Sequence, residues 1–162
     1  MRVWDIHPGF LNRQSLLGEH REIHAIHTII IQGKKGYSRH PETLRWQGHL
    51  GALRLRHEQV VTEMRVRGFN HFSPLPASGT EIIWPSVFID APSRQFELLA
   101  EKYAHKEQGR LPLPTSVDEL LAGHAQALTN SELRVFETQP ATPDTFASVA
   151  SALVKLLRQS AT

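Results

Sequence analysis

Cysteine is missing from all 162 residues. That excludes disulfides and thiolate metal sites. No stretch of about eighteen apolar residues occurs, so a membrane-spanning helix is not expected. The opening "MRVWDIHPGF" has no apolar core of the kind a secretory signal needs, and the expected location is cytoplasmic. The chain contains no G-x-S-x-G turn, no Walker loop and no G-x-G-x-x-G. A nucleophilic serine and the common phosphate cradles are therefore without support. Internal repeats and low-complexity tracts are absent too.

What is present is ordinary in bulk and uneven in layout. Hydrophobic residues make up 40% and charged residues 21%, a globular composition. The length suits one domain around one core. The net charge of +2 hides an asymmetry, because residues 1–70 carry eleven Lys/Arg against six Asp/Glu and residues 71–162 carry seven against ten. The first half is better suited to a polyanionic partner, although a plain solvated basic surface has the same composition.

Everything regular reads as helix. A first helix is expected from about Leu11–Ser15 to a stop at Gly33. At about 100° per residue, Leu16, Ile23, Ile26 and Ile30 gather on one side, with Gly18, Glu22, Ala25 and Ile29 nearly opposite. Apolar residues on two sides imply more than one packing partner. "GKKGYSRHPETLRW" is punctuated by Gly33, Gly36 and Pro41 and reads as a loop, followed by a short helix from Pro41. "LGALRLRHEQVVTEMRVRG" is a second long helix. Its apolar side holds Leu53, Val60, Val61 and Met64, its other faces hold Arg54, Arg56, Arg65 and Arg67, and Gly68 ends it. Residues 69–91 carry three prolines and little helical period; "EIIW" and "SVFI" are apolar enough to pack or to form a short strand. Helices are expected again over Pro92–His105 (Phe96, Leu99 and Tyr103 on one face), after a cap at Thr115 or Ser116, and from Pro143–Asp144 through Val149, Leu153 and Leu156 to Arg158. The expected architecture is one all-α domain over residues 1–162, with a helical core at 1–70 and an irregular segment plus C-terminal helices at 71–162.

Three features offer chemistry. In "LLGEHREIHAIH", His20, His24 and His27 form one helical stripe. Imidazoles at i, i+4 can share a metal ion. However, the zincin order places glutamate directly after the first histidine, and here Arg21 stands there. No metal and no cofactor is expected. Second, Arg21-Glu22 is a bare charged pair whose setting raises it: Glu22 shares its side with Gly18 and Ala25, which leave room above the helix. A partly desolvated carboxylate can act as a general base or stabilise a developing cation. Third, the α-amine of Met1 belongs to a class with a pKa of about 7.7–8.0, against about 10.4 for lysine. A useful fraction is neutral near pH 7 and can form a Schiff base.

Together "MRVW", "LNRQSLLGEHRE" and "RVRGFN" resemble the pyrimidine-dimer DNA glycosylase family, with "GKKGYSRHP" similar to the connecting loop of bacterial members. The resemblance covers roughly residues 1–70. The spacing from the chain start to Arg21-Glu22 is its specific part. It implies an all-α fold and excision of one base of an ultraviolet-induced dimer, followed by nicking of the abasic site. It implies Met1 as the amine nucleophile, Glu22 as the catalytic carboxylate, and Arg2 and Arg21 as phosphate contacts. Lys34, Lys35, Tyr37 and Arg39 of the loop, with His20 and His24, complete the expected DNA-binding set. The expected partner is damaged double-stranded DNA, met by a monomer without metal. The chain departs from the family in three places. The phage member exposes a threonine after methionine removal where this chain has Met1 itself. A family arginine one helical turn past Arg21 aligns with Ala25. The phage enzyme's aromatic, basic C-terminal segment has no counterpart in "VASALVKLLRQSAT". The alternatives are a helical DNA-binding module without catalysis and a histidine-based metal-binding protein.

Overall fold

The long helices stop where glycine lets them. In the computed structural model, which describes residues 1–71, 73–76, 81–136 and 142–161, α1 spans Arg13–Gln32 and α2 spans Pro41–Trp46. α3 spans Leu50–Val66. Gly33 (φ 62°) follows α1 and Gly68 (φ 84°) follows α3. Beyond each glycine the chain doubles back. Lys34 N–H donates to Ile29 O at 3.1 Å and Phe69 N–H to Met64 O at 2.9 Å. This closes carbonyls that a helix end leaves open, in a turn that requires left-handed backbone. The remaining helices are α4 (Pro92–Lys102), α5 (Val117–Gly123), α6 (Asn130–Arg134) and α7 (Pro143–Ala161). No strand occurs among the described residues, so the protein is all-α. No described helix is long and apolar enough to cross a membrane.

The chain divides into two compact units. The first comprises chiefly Met1–Trp4 and Gln14–Ile89. Leu16, Ile23 and Ile26 of α1 and Leu53, Val60 and Val61 of α3 are fully buried, as is Trp46 of α2. Ile29 is buried and Ile30 half-buried, so α1 is covered on more than one side, as its two apolar faces require. The irregular segment after α3 is described in part, positions 72 and 77–80 lying outside the described residues. Over 81–89 it forms no strand. Its carbonyls bond to side chains instead: Arg45 Nε donates to Val87 O at 2.8 Å, and His49 Nδ1 lies 2.7 Å from Ile83 O. Trp84 meets Trp46 edge-on at 6.2 Å.

The second unit comprises Asp5–Arg13 and Asp90–Ser160. Phe10, in a 3-10 turn at Pro8–Phe10, is its centre. The ring packs edge-on against Phe96 at 5.0 Å and lies 5.4 Å from His124. A Cβ on Gly109 would come within 2.5 Å of Phe10 O, so the small residue is required there for close approach. Asp5 anchors the early segment. Its N–H donates to Gln95 Oε1, while its carboxylate accepts from Gln95 Nε2 and Arg158 Nη2, each at 2.9 Å. Phe96, Leu99 and Tyr103 of α4 are buried, and Ser116 caps α5, both as the sequence indicates. α6 is an addition, started by a reciprocal Thr129–Glu132 capping box. In α7 the buried stripe runs Val149, Leu153, Leu157. Leu156, expected on it, is only half-buried.

His124 makes this unit acid-sensitive. It is 2% exposed, and its Nδ1 lies 2.7 Å from Leu120 O. Burial lowers its pKa below the ordinary histidine value, against a smaller opposing effect of that hydrogen bond. The unfolded chain therefore binds the proton first. Stability is full above about pH 6.5 and declines as pH falls below it toward the lowered folded value. The urea midpoint should drop between pH 7 and pH 5 more steeply in the native protein than in His124→Asn. Equal slopes would contradict the assignment.

Candidate active site

One carboxylate organises the chain start. Glu19 lies on α1 with its side chain fully buried, and Arg56 of α3, 3% exposed, reaches it. Arg56 Nε donates to Glu19 Oε2 at 2.7 Å and Arg56 Nη2 to Glu19 Oε1 at 3.0 Å. This is the two-pronged geometry that makes guanidinium–carboxylate pairs strong. Glu19 Oε1 also accepts the backbone N–H of Trp4 at 3.1 Å. The sequence places Arg56 among the polar faces of α3. The structure corrects this, because it is an interior ion-pair partner. Arg67, from the same set, donates to Glu63 at 2.7 Å, while Arg54 and Arg65 are exposed.

Met1 is half-buried, and its Sδ accepts from Thr43 Oγ1 at 3.7 Å. Arg2 is half-buried, with its guanidinium carbon 4.9 Å from the Trp4 ring centroid. Glu22 is half-buried and Arg21 exposed. Four residues before Glu22, a Cβ on Gly18 would meet nothing within 4 Å. The room above the helix is real. Lys34, Lys35, Tyr37 and Arg39 are all exposed. Tyr37 is 71% exposed and holds φ at 58°, a left-handed conformation uncommon outside glycine. Hydrogen bonds brace that turn: His40 N–H donates to Tyr37 O at 3.1 Å and Ser38 Oγ to Lys35 O at 2.8 Å.

His20 and His24 are drawn into a different arrangement. One ring nitrogen from each of His20, His24, His57 and His71 lies within 4.8 Å of all the others. His24 Nε2 is 3.2 Å from His57 Nε2, and His71 Nε2 is 3.0 Å from His20 Nε2. His57 is fully buried, and the other three are half-buried. Burial, then the neighbouring histidines, press the His20 pKa down to about 4. Burial is likewise the first cause lowering His24 and His57. His20, His24 and His57 are thus neutral near pH 7. His27, third in the sequence stripe, is outside the group. His57 and His71 carry no local signal. Only the α1–α3 register and the turn at Gly68 bring them to His20 and His24.

Residues 1–76 match the family model described as pyrimidine dimer DNA glycosylase, and the match supports that family. The matched stretch contains every residue placed at the site above. No curated protein and no solved structure gives a significant match.

Removing the anchor should cost far more than removing its neighbour. Glu19→Gln leaves Arg56 buried without its counter-charge, and urea unfolding should show a loss of about 3–5 kcal/mol. Half-buried Glu22→Gln should change stability by only about 0.5 kcal/mol. Equal losses would remove Glu19 from its organising role.

Proposed function

We propose that this chain, with its pyrimidine dimer DNA glycosylase pattern over residues 1–76, is a DNA repair N-glycosylase and abasic-site lyase. It acts on pyrimidine-dimer-type lesions in duplex DNA through the Met1 α-amine. The observation that carries this reading is the Trp4 N–H bond to Glu19. It ties the chain start to α1 one helical turn before Glu22. Three extended residues reach about 10 Å, and Glu22 lies about 4.5 Å along the axis from Glu19. That span allows the amine and the carboxylate to meet at one sugar, beside the open space over Gly18.

The chemistry follows from these groups. The neutral amine attacks C1′ of the damaged nucleotide. The C1′–N bond breaks, and the base leaves with the electron pair and takes up a proton. Positive charge develops on the sugar, and the Glu22 carboxylate stabilises it. The nitrogen gives up one proton, the C1′–O4′ bond then breaks with O4′ taking up a proton, and the nitrogen lone pair closes the protonated imine. Loss of a 2′ proton, with Glu22 as base, then expels the 3′ phosphate by β-elimination. Water hydrolyses the imine and frees the amine. Arg2 and Arg21 suit the flanking phosphates. The exposed Lys34, Lys35 and Arg39 extend the cationic surface, and Tyr37 offers a face on which an unstacked base can rest. Local opening of the duplex costs a few kcal/mol, less at a damaged, poorly stacked site.

Borohydride should trap a covalent adduct with abasic DNA. Acetylating the N-terminus should abolish it, and Glu22→Gln should slow strand scission by about 10²-fold or more. Unchanged trapping by acetylated protein would eliminate Met1 as the nucleophile. Salt-dependent DNA binding without any adduct would favour the alternative, a catalytically silent DNA-binding module.

A further inference from the structure

We propose that His20, His24, His57 and His71 form a binding site for one Zn²⁺ ion, which clamps α1, α3 and the stretch after α3 together. The site does not depend on the amine–carboxylate chemistry proposed above. A tetrahedral ion with Zn–N bonds of about 2.0–2.1 Å holds its ligand nitrogens about 3.3–3.4 Å apart. Two edges of the cluster are already near that value, at 3.2 Å for His24–His57 and 3.0 Å for His20–His71. The remaining nitrogen pairs lie no farther apart than 4.8 Å, a distance that small rotations of half-buried rings can close. The ring centroids are also evenly spaced. His20 lies 4.7, 5.1 and 5.0 Å from His24, His57 and His71. His57 lies 4.9 and 5.2 Å from His24 and His71.

An independent feature concerns the far side of His57. Its Nδ1 sits 3.1 Å from Glu58 Oε1. A carboxylate only accepts, so Nδ1 carries the proton, and in the neutral ring the lone pair of Nε2 points into the cluster. A carboxylate behind a histidine is the usual outer partner of a ligating imidazole; it fixes the ring and raises its basicity. The surrounding charges permit a dication. Arg56, next to His57, is committed to Glu19. Arg21, next to His20, is exposed and screened by solvent. Glu58 supplies a negative charge, 3.1 Å from His57 Nδ1.

Four protein ligands leave no open position, so the ion is structural, with no place for a reacting water. Imidazole nitrogen suits zinc and its late transition-metal neighbours, and a closed tetrahedral set disfavours Cu²⁺ and Ni²⁺, which prefer tetragonal geometry. The clamp would join three stretches of the chain that share no covalent crosslink.

Protein stripped with chelator should bind one Zn²⁺ per chain in a calorimetric titration, and its melting temperature should rise with Zn²⁺. Co²⁺ in place of Zn²⁺ should give the intense visible absorption of a tetrahedral site. His20→Ala and His71→Ala, at half-buried positions, should each lose the cobalt absorption and the thermal shift. Glu58→Gln should keep the absorption and weaken Zn²⁺ affinity by about 10–100-fold, and His27→Ala should leave binding unchanged. The proposal is overturned if the native chain takes up no stoichiometric Zn²⁺, or if His20→Ala and His71→Ala bind as tightly as the native chain. Borohydride trapping, run in chelator, reads the amine chemistry separately.

Discussion

The interior charge of Glu19 is the constraint on which the first unit depends. A buried carboxylate is tolerated only when its lone pairs are occupied and its charge is answered. Here Arg56 answers the charge with two hydrogen bonds, and the Trp4 amide takes a third. The three partners come from α1, α3 and the chain start. No apolar contact could fix them so closely, because apolar packing is indifferent to small shifts along a helix and a two-pronged ion pair is not. Sliding α3 by one turn would bury a bare guanidinium. The pair therefore sets register as well as adding energy.

That register reaches beyond the pair. Glu19 precedes His20 in the chain, and Arg56 precedes His57. Once Glu19 meets Arg56, the two imidazoles are forced into the same layer of the α1–α3 packing, and their centroids lie 5.1 Å apart. His24 follows one turn later. Glu22 sits between them in sequence on the side of α1 that Gly18 leaves open. One helix thus carries an ion pair, a histidine cluster and a half-buried carboxylate within six consecutive residues, 19–24.

The helices were legible because their signals are local. Gly33 and Gly68 stop α1 and α3, Pro41 and Pro92 open α2 and α4, and Ser116 caps α5 through its own hydroxyl. α6 escaped because it lasts five residues, too few for a period to show. The apolar stretch 81–89 looked capable of a strand because composition says nothing about where its carbonyls bond. The site was legible in part for the same reason. Arg21, Glu22 and the loop at 34–39 are contiguous, so their spacing and exposure can be read along the chain. Arg56 and Glu19 are 37 residues apart, and His20 and His71 are 51 apart. No period links such positions. His57 in particular looked like one polar residue in an Arg-rich helix, and only its 0% exposure separates it from the others.

The capture of backbone carbonyls along 81–89 has a consequence for the protein in concentrated solution. Ile82, Ile83, Val87 and Ile89 are exposed, and a bare β-capable stretch of that kind invites a second chain to pair along it. Pairing needs free carbonyls at regular intervals. The Arg45 guanidinium already occupies that of Val87, the His49 ring occupies that of Ile83, and Pro85 offers no amide between them. The surface is greasy yet a poor template for aggregation.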